Sequence, residues 1–202
     1  MSSIVSPENT TLVQEANNPA GGLDVVGQLN QENKIEIRGD APVGIVGGNL
    51  MDTITTGAGD AVVFAGDGDD IINGGSGDDI LRGGNGNDNI KGFVGDDFIS
   101  GGEGDDVIRG GFGSDVLNGD AGDDVFEFAI SELGTGVDQI EDFKADGDAD
   151  MIKIFDGTGE IGSVEYNDQT GIVSINGTEA IDIGEDQDIT IQENNQGTWE
   201  LF

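Results

Sequence analysis

The chain has 202 residues and a mass of 20.8 kDa, which suits one elongated repeat domain with a small companion. Forty-two acidic residues against seven basic ones give a formal charge of −35; this excludes phosphate-rich partners and anionic membrane surfaces and leaves multivalent cations as the natural counterpart. With no Cys and no His, disulfides, thiolate nucleophiles and the usual zinc and haem ligands are also excluded.

Residues 1–22 are polar and read as a flexible arm. The opening MSSIVSPENTTLVQEANN has no basic stretch followed by a long apolar run, so it does not read as a Sec-type signal. No stretch of the chain approaches the ~18–20 apolar residues of a transmembrane helix. Short apolar alternations follow in 23–46, notably KIEIR at 34–38. RGDAPVGIV at 38–46 reads as a degenerate capping coil, because the exposed end of a repeat stack needs covering. Its Arg38-Gly39-Asp40 tripeptide is assigned no role, since three-residue matches arise easily by chance. Residues 1–46 are thus an arm with a capping coil.

From 47 to 127 the chain falls into nine contiguous nonapeptides of the form G-G-x-G-x-D-x-U-x, U being a large apolar residue: GGNLMDTIT, TGAGDAVVF, AGDGDDIIN, GGSGDDILR, GGNGNDNIK, GFVGDDFIS, GGEGDDVIR, GGFGSDVLN and GDAGDDVFE. Position eight is apolar in all nine, position six is Asp in all but one (Ala61), and position four is Gly in all but one (Leu50). Three positions held in phase this long require a stacked structure. The glycines allow tight turns with positive φ. The closing x-U-x, rich in Val, Ile and Phe, suits a very short strand with position eight inward and positions seven and nine outward. One block cannot bury its apolar residue alone; stacking builds a continuous column.

Two blocks make a coil of eighteen residues, so odd blocks stack on odd and even on even, about 4.8 Å apart. The sixth-position aspartates then form two ladders. One holds Asp52, Asp70, Asp88, Asp106 and Asp124; the other holds Asp79, Asp97 and Asp115, with a gap at Ala61. Two ionised carboxylates at ~5 Å repel by roughly 3 kcal/mol at an effective dielectric of 20. A cation between rungs removes that cost, and carboxylates with turn carbonyls are the oxygen donors that calcium accepts more readily than magnesium. The fifth-position acids (Asp60, Asp69, Asp78, Asp96, Asp105, Asp123) read as solvated. The apolar seventh positions read as β-propensity rather than as a sticky face.

After Phe126 the period stops. VFEFA, VDQIEDF, DMIKIF, SVEYN, GIVSING, EAIDI, DITIQ and TWELF are spaced like short antiparallel strands, with NDQTG at 167–171 as a hairpin turn. Residues 128–202 are expected to form a small β cap. DGDAD is not an EF-hand loop, because Met151 stands where that loop needs Gly.

The repeat resembles the calcium-binding nonapeptide of RTX (repeats-in-toxin, haemolysin-type) proteins, and 47–127 looks like their parallel β-roll. The resemblance implies an all-β fold, a parallel β-roll of nonapeptide repeats with a small C-terminal antiparallel β cap. It also implies Ca²⁺ in the turns between blocks i and i+2. Carried onto this chain, the ligands are the ladder aspartates with the turn backbone at Gly66, Gly68, Gly75, Gly77, Gly84, Gly86, Gly95, Gly102, Gly104, Gly111, Gly113 and Gly122. Complete aspartate pairs are 52/70, 70/88, 88/106, 106/124, 79/97 and 97/115, giving about six sites. Ala61, Leu50, Phe93 and Asp120 depart from the pattern and weaken some of these sites. DVFEFA followed by VDQIEDFKADGDADMIKI is similar to the segment that follows the repeats in many RTX proteins, with Asp138 and Asp142 as candidates to complete sites at the end of the roll. The C-terminal WELF resembles a type I secretion signal.

These readings give a secreted calcium-binding protein, extracellular or at the cell surface, exported by type I secretion machinery and non-enzymatic. There is no HExxH and no GxSxG, no amphipathic helix for membrane insertion, and no nucleic-acid site. The alternative is a carbohydrate-binding or surface and matrix adhesion module, with an extracellular glycan or surface partner.

Overall fold

A computed structural model describes residues 3–5, 11–16, 23–133, 135–144, 149–155, 164–167, 170–184, 190–193 and 198–202. Its regular structure is all β: twenty-one strands and no helix among the described residues. They form two sheets, one of eleven strands and one of ten, with successive strands of the chain alternating between them as far as Met151–Phe155. The molecule is a parallel β-solenoid, or β-roll, of about six turns with antiparallel strands at its C-terminal end.

The register follows the nonapeptide. Ile71–Ser76, Asn89–Val94 and Val107–Phe112 stack in parallel with Ile72 opposite Ile90 and Ile90 opposite Ile108. On the other sheet Leu81 lies opposite Ile99, and Ile99 opposite Leu117. Each step is eighteen residues, two blocks. All nine position-eight residues are fully buried and form one apolar column between the sheets. Burying a Val, Leu, Ile or Phe side chain contributes roughly 1.5–3 kcal/mol, so the column is the main apolar support of a very thin fold.

The stack reaches beyond the nine nonapeptides in both directions. Toward the N-terminus, Lys34–Gly39 pairs with Thr53–Thr55, and Val43–Gly48 pairs with Ala61–Asp67. Ile35 and Ile45 continue the buried column there. Within the stretch read as an arm, the described strands Ser3–Val5 and Thr11–Ala16 also stack on the roll in parallel.

Toward the C-terminus the structure differs from the expected run of antiparallel strands. Asp138–Ile140 and Met151–Phe155, the first two strands after the repeats, pair in parallel with the last coil, Gln139 opposite Val116 and Ile152 opposite Phe126. Their inward residues Ile140 and Ile152 fit the apolar column, so the coil continues without its glycine turns. Antiparallel pairing begins one coil later. Val164–Asn167, Ile172–Ile175 and Thr178–Asp182 form a meander closing one sheet, and Ile191–Glu193 with Trp199–Leu201 closes the other. Of the turn expected at 167–171, residues 168–169 lie outside the described residues; the strands on either side pair antiparallel, and the Gly171 N–H donates to the Asn167 carbonyl at 2.8 Å.

Candidate metal-binding ladders

Every ladder aspartate is fixed in the same way. Its Oδ1 accepts a hydrogen bond from the main-chain N–H at position six of the preceding coil. Asp52, Asp70, Asp88 and Asp106 donate in turn to Asp70, Asp88, Asp106 and Asp124 at 2.6–2.8 Å. On the other sheet Ala61, Asp79 and Asp97 donate to Asp79, Asp97 and Asp115 at 2.7–2.9 Å. Ala61 leaves a rung without a side-chain ligand yet keeps the main-chain bond, because that bond needs only its N–H.

The second oxygen behaves otherwise. Oδ2 of Asp52, Asp70, Asp79, Asp88, Asp97, Asp106, Asp115 and Asp124 is buried and has no hydrogen-bond partner. A buried carboxylate oxygen without a donor is costly, and here the arrangement recurs eight times in register. The orphaned oxygens point into the turns. An ideal Cβ built on Gly74 would lie 2.6 Å from Asp79 Oδ2 and 2.9 Å from the Gly92 carbonyl oxygen. On Gly92 it would overlap Asp97 Oδ2 and lie 2.7 Å from the Gly110 carbonyl. Gly83 and Gly101 show the same pairing with Asp88 and Asp106. At these four residues position one is therefore glycine for space: a carboxylate oxygen and a carbonyl two blocks on face the volume a side chain would fill.

Positions two and four are glycine for conformation. All twelve turn glycines named above have positive φ, from +97° at Gly75 to +139° at Gly95, Gly113 and Gly122. At Gly102 the need is double, since φ is +122° and a Cβ would run into the Gly84 carbonyl of the coil before it. Phe93 and Asp120 occupy position two with φ of +82° and +67°; there the sequence departs from glycine while the turn does not.

Electrostatics follows from burial. The carboxyls of Asp70, Asp79 and Asp97 are pushed from 3.8 up to about 7, Asp106 to about 8, and Asp88, Asp115 and Asp124 to about 6. Desolvation is the main cause throughout; neighbouring carboxylates add to it, and the hydrogen bond from the preceding coil opposes it. Asp52 is raised for the same leading reason.

Both ladders run one rung further than the nonapeptides. Asp138 accepts from the Asp115 N–H at 3.0 Å, and Asp150 accepts from the Asp124 N–H at 3.0 Å. Each is buried. Asp142, the other residue considered for the roll's end, takes no rung; its carboxylate accepts from the main-chain amides of Gly119 and Asp120 in the last glycine turn, at 3.1 and 2.6 Å. Sequence reading passed over Asp150, yet a signal was present: Asp150-Met151-Ile152 and Asp138-Gln139-Ile140 keep the D-x-U half of the nonapeptide after its glycine half is lost. Most of the DGDAD string itself lies outside the described residues.

The fifth-position acids are exposed but not merely solvated. Oδ1 of Asp60, Asp69, Asp78, Asp96 and Asp105 accepts from the position-five N–H of the following coil at 2.9–3.1 Å. Asn87 does the same for Asp105. These bonds run in the opposite sense to the sixth-position ladders, so adjacent coils are tied both ways.

Among the described residues, no three or more acidic side chains gather as a ready-made metal cluster. A cation held here would take carboxylate oxygens from the ladder and would complete its shell from main-chain carbonyls. Negative charge, hard oxygen donors and orphaned Oδ2 atoms fit calcium, which tolerates irregular shells of six to eight oxygens. The sequence pattern of the RTX calcium-binding nonapeptide repeat matches the chain in four copies, at residues 46–81, 55–90, 74–108 and 91–126. No curated protein matches the chain. Residues 46–126 are RTX calcium-binding nonapeptide repeats.

Proposed function

We propose that this RTX-repeat chain is a secreted, non-enzymatic calcium-binding protein whose roll closes on Ca²⁺ held between stacked repeats. The observation that carries the reading is the set of eight buried, partnerless Oδ2 atoms. When bound, calcium supplies the positive charge that lets adjacent carboxylates remain ionised. The chain's own residues do the rest. Oδ1 is engaged by the preceding coil, which aims Oδ2 into the turn; glycine at position one keeps that volume open. The aspartate pairs 52/70, 70/88, 88/106, 106/124, 79/97 and 97/115 give about six sites, and the rungs at Asp138 and Asp150 extend the ladders.

Binding rather than catalysis suits these carboxylates. Acid–base chemistry needs two groups pushed apart in pKa, whereas the ladder aspartates share one environment and are all raised. Export agrees with the energetics: where calcium is scarce the charged ladders keep the chain open, and where it approaches the ~10⁻⁴–10⁻³ M range of extracellular modules, binding to the folded state draws it closed.

The test is a titration of calcium-free protein followed by far-UV circular dichroism. A cooperative gain of β signal with Ca²⁺, weak or absent with Mg²⁺, is expected. A spectrum indifferent to calcium and chelator would overturn the coupling of binding to folding. A surface-adhesion or carbohydrate-binding role is the second reading. It is favoured by Phe64, Phe93 and Phe112, all exposed on the outside of the roll. Retention of the calcium-loaded protein on immobilised polysaccharide, lost on replacing these three by Ser, is what that reading requires.

A further inference from the structure

One rung is built from an amide. Asn33 stands in ladder register with Asp52, since the next residues, Lys34 and Thr53, are paired in parallel. The Asn33 N–H donates to Asp52 Oδ1 at 2.6 Å, as each rung donates to the aspartate of the following coil. The side chain then departs from the pattern. Its Nδ2 is surrounded by three oxygens: Asp52 Oδ1 at 2.8 Å, the Gln31 carbonyl at 3.1 Å and the Gln28 carbonyl at 3.3 Å. Its Oδ1 accepts from the Gln28 N–H at 2.8 Å. Asn33 is only 7 % exposed, and it leaves no orphaned atom where the ladder aspartates each leave one.

The amide nitrogen is also aimed where those orphaned oxygens are aimed. An ideal Cβ on Gly27 would lie 2.8 Å from Asn33 Nδ2, comparable to the 2.6 Å between such a Cβ on Gly74 and Asp79 Oδ2. An Asn amide nitrogen carries two N–H donors and a partial positive charge. Set among one carboxylate and two main-chain carbonyls, it fills with its own protons the kind of oxygen cage that a hard cation takes.

We propose that Asn33 substitutes for a cation: it ends the Asp52–Asp124 ladder at its N-terminal side, its rung takes no calcium, and Asn33→Asp converts that rung into an additional calcium site. An aspartate at 33 would face Asp52 as Asp52 faces Asp70, and it would bring an acceptor where the amide now brings two donors. The inference rests on the calcium reading of the ladders.

The experiment is isothermal titration of the full chain with CaCl₂, wild type against Asn33→Asp. It is paired with NMR of the Asn33 side-chain amide in the calcium-saturated wild type. The expected results are one more calcium bound by N33D, and amide protons that stay protected from exchange at saturating calcium. Equal, non-zero stoichiometry in the two chains overturns the inference and leaves the calcium reading standing. So does an Asn33 side-chain amide that exchanges freely in the calcium-saturated wild type, a measurement that decides the matter even where N33D does not fold. Binding by neither chain removes the calcium reading itself, and this inference with it.

Discussion

The main-chain N–H of Asp88 donates to Oδ1 of Asp106 at 2.7 Å, while Oδ2 of the same Asp106 is buried with no partner. One carboxylate thus does two jobs: it ties a coil to its neighbour and it presents an unsatisfied oxygen to the turn. Asp106→Asn separates them. The amide Oδ1 still accepts from Asp88, but the charge is gone. In chelator above about pH 8, where Asp106 is ionised, the variant is expected to be more stable than wild type, because a repulsion of roughly 3 kcal/mol per close pair at a dielectric of 20 is relieved. In calcium it is expected to be less stable, by about 1–3 kcal/mol, through loss of a charged oxygen ligand. Urea unfolding in EDTA and in millimolar CaCl₂ checks both signs. The same sign in both media would contradict the cation-bridged ladder.

Acidity acts on the same carboxyls. In the calcium-free roll Asp106 is raised to about 8, Asp70, Asp79, Asp97 and Asp138 to about 7, and Asp88, Asp115 and Asp124 to about 6. Between pH 4 and 8 the closed roll therefore holds protons that the unfolded chain has released, so stability falls as pH rises. The stabilisation from these protons is complete below about 3.8 and is lost as pH climbs through 6–8. In EDTA, lowering the pH from 8 to 5 is expected to increase the β signal. With calcium present the opposite trend holds for binding, because protons compete for the carboxylates: the calcium midpoint rises as pH falls below about 7. Circular dichroism across a pH series, with and without calcium, reads both slopes.

At Gly92 the glycine of position one is required by volume. Gly92 is not among the positive-φ glycines, so Ala meets no backbone objection. Its methyl would nevertheless overlap Asp97 Oδ2 and press on the Gly110 carbonyl at 2.7 Å. Gly92→Ala is expected to cost about 1–3 kcal/mol, the range of overpacking, and to lower the number of bound calcium ions by one. Calorimetric stoichiometry separates this outcome from simple destabilisation, which would leave the number unchanged.

Phe93 is the reverse case. It holds φ at +82° in a position that is glycine in most blocks, and it is 46 % exposed. A bulky residue in that region carries about 1–3 kcal/mol of strain, and little burial offsets it. Phe93→Gly is expected to raise the stability of the calcium-loaded roll by about 1 kcal/mol, after the extra flexibility of glycine in the unfolded chain is counted. Thermal unfolding in saturating calcium measures it, and a lower melting temperature would mean that the exposed ring contributes contacts of its own.

The nonapeptide determined a great deal unaided, because each of its conserved positions answers one local demand. The apolar eighth residue, from Ile54 to Phe126, must enter the core, and in a strand that fixes which neighbours face out. The eighteen-residue step then sets the register, and the register sets which aspartates meet. What the tertiary structure alone decided is where the stack ends and which atoms of each side chain are spoken for. Asn33, Asp138 and Asp150 join the ladders through pairing with coils nineteen, twenty-three and twenty-six residues away, distances that no fixed period contains. That Oδ1 is satisfied and Oδ2 is not is a fact of three-dimensional packing. A sequence names the carboxylate, but only the neighbouring coil's amide distinguishes its two oxygens.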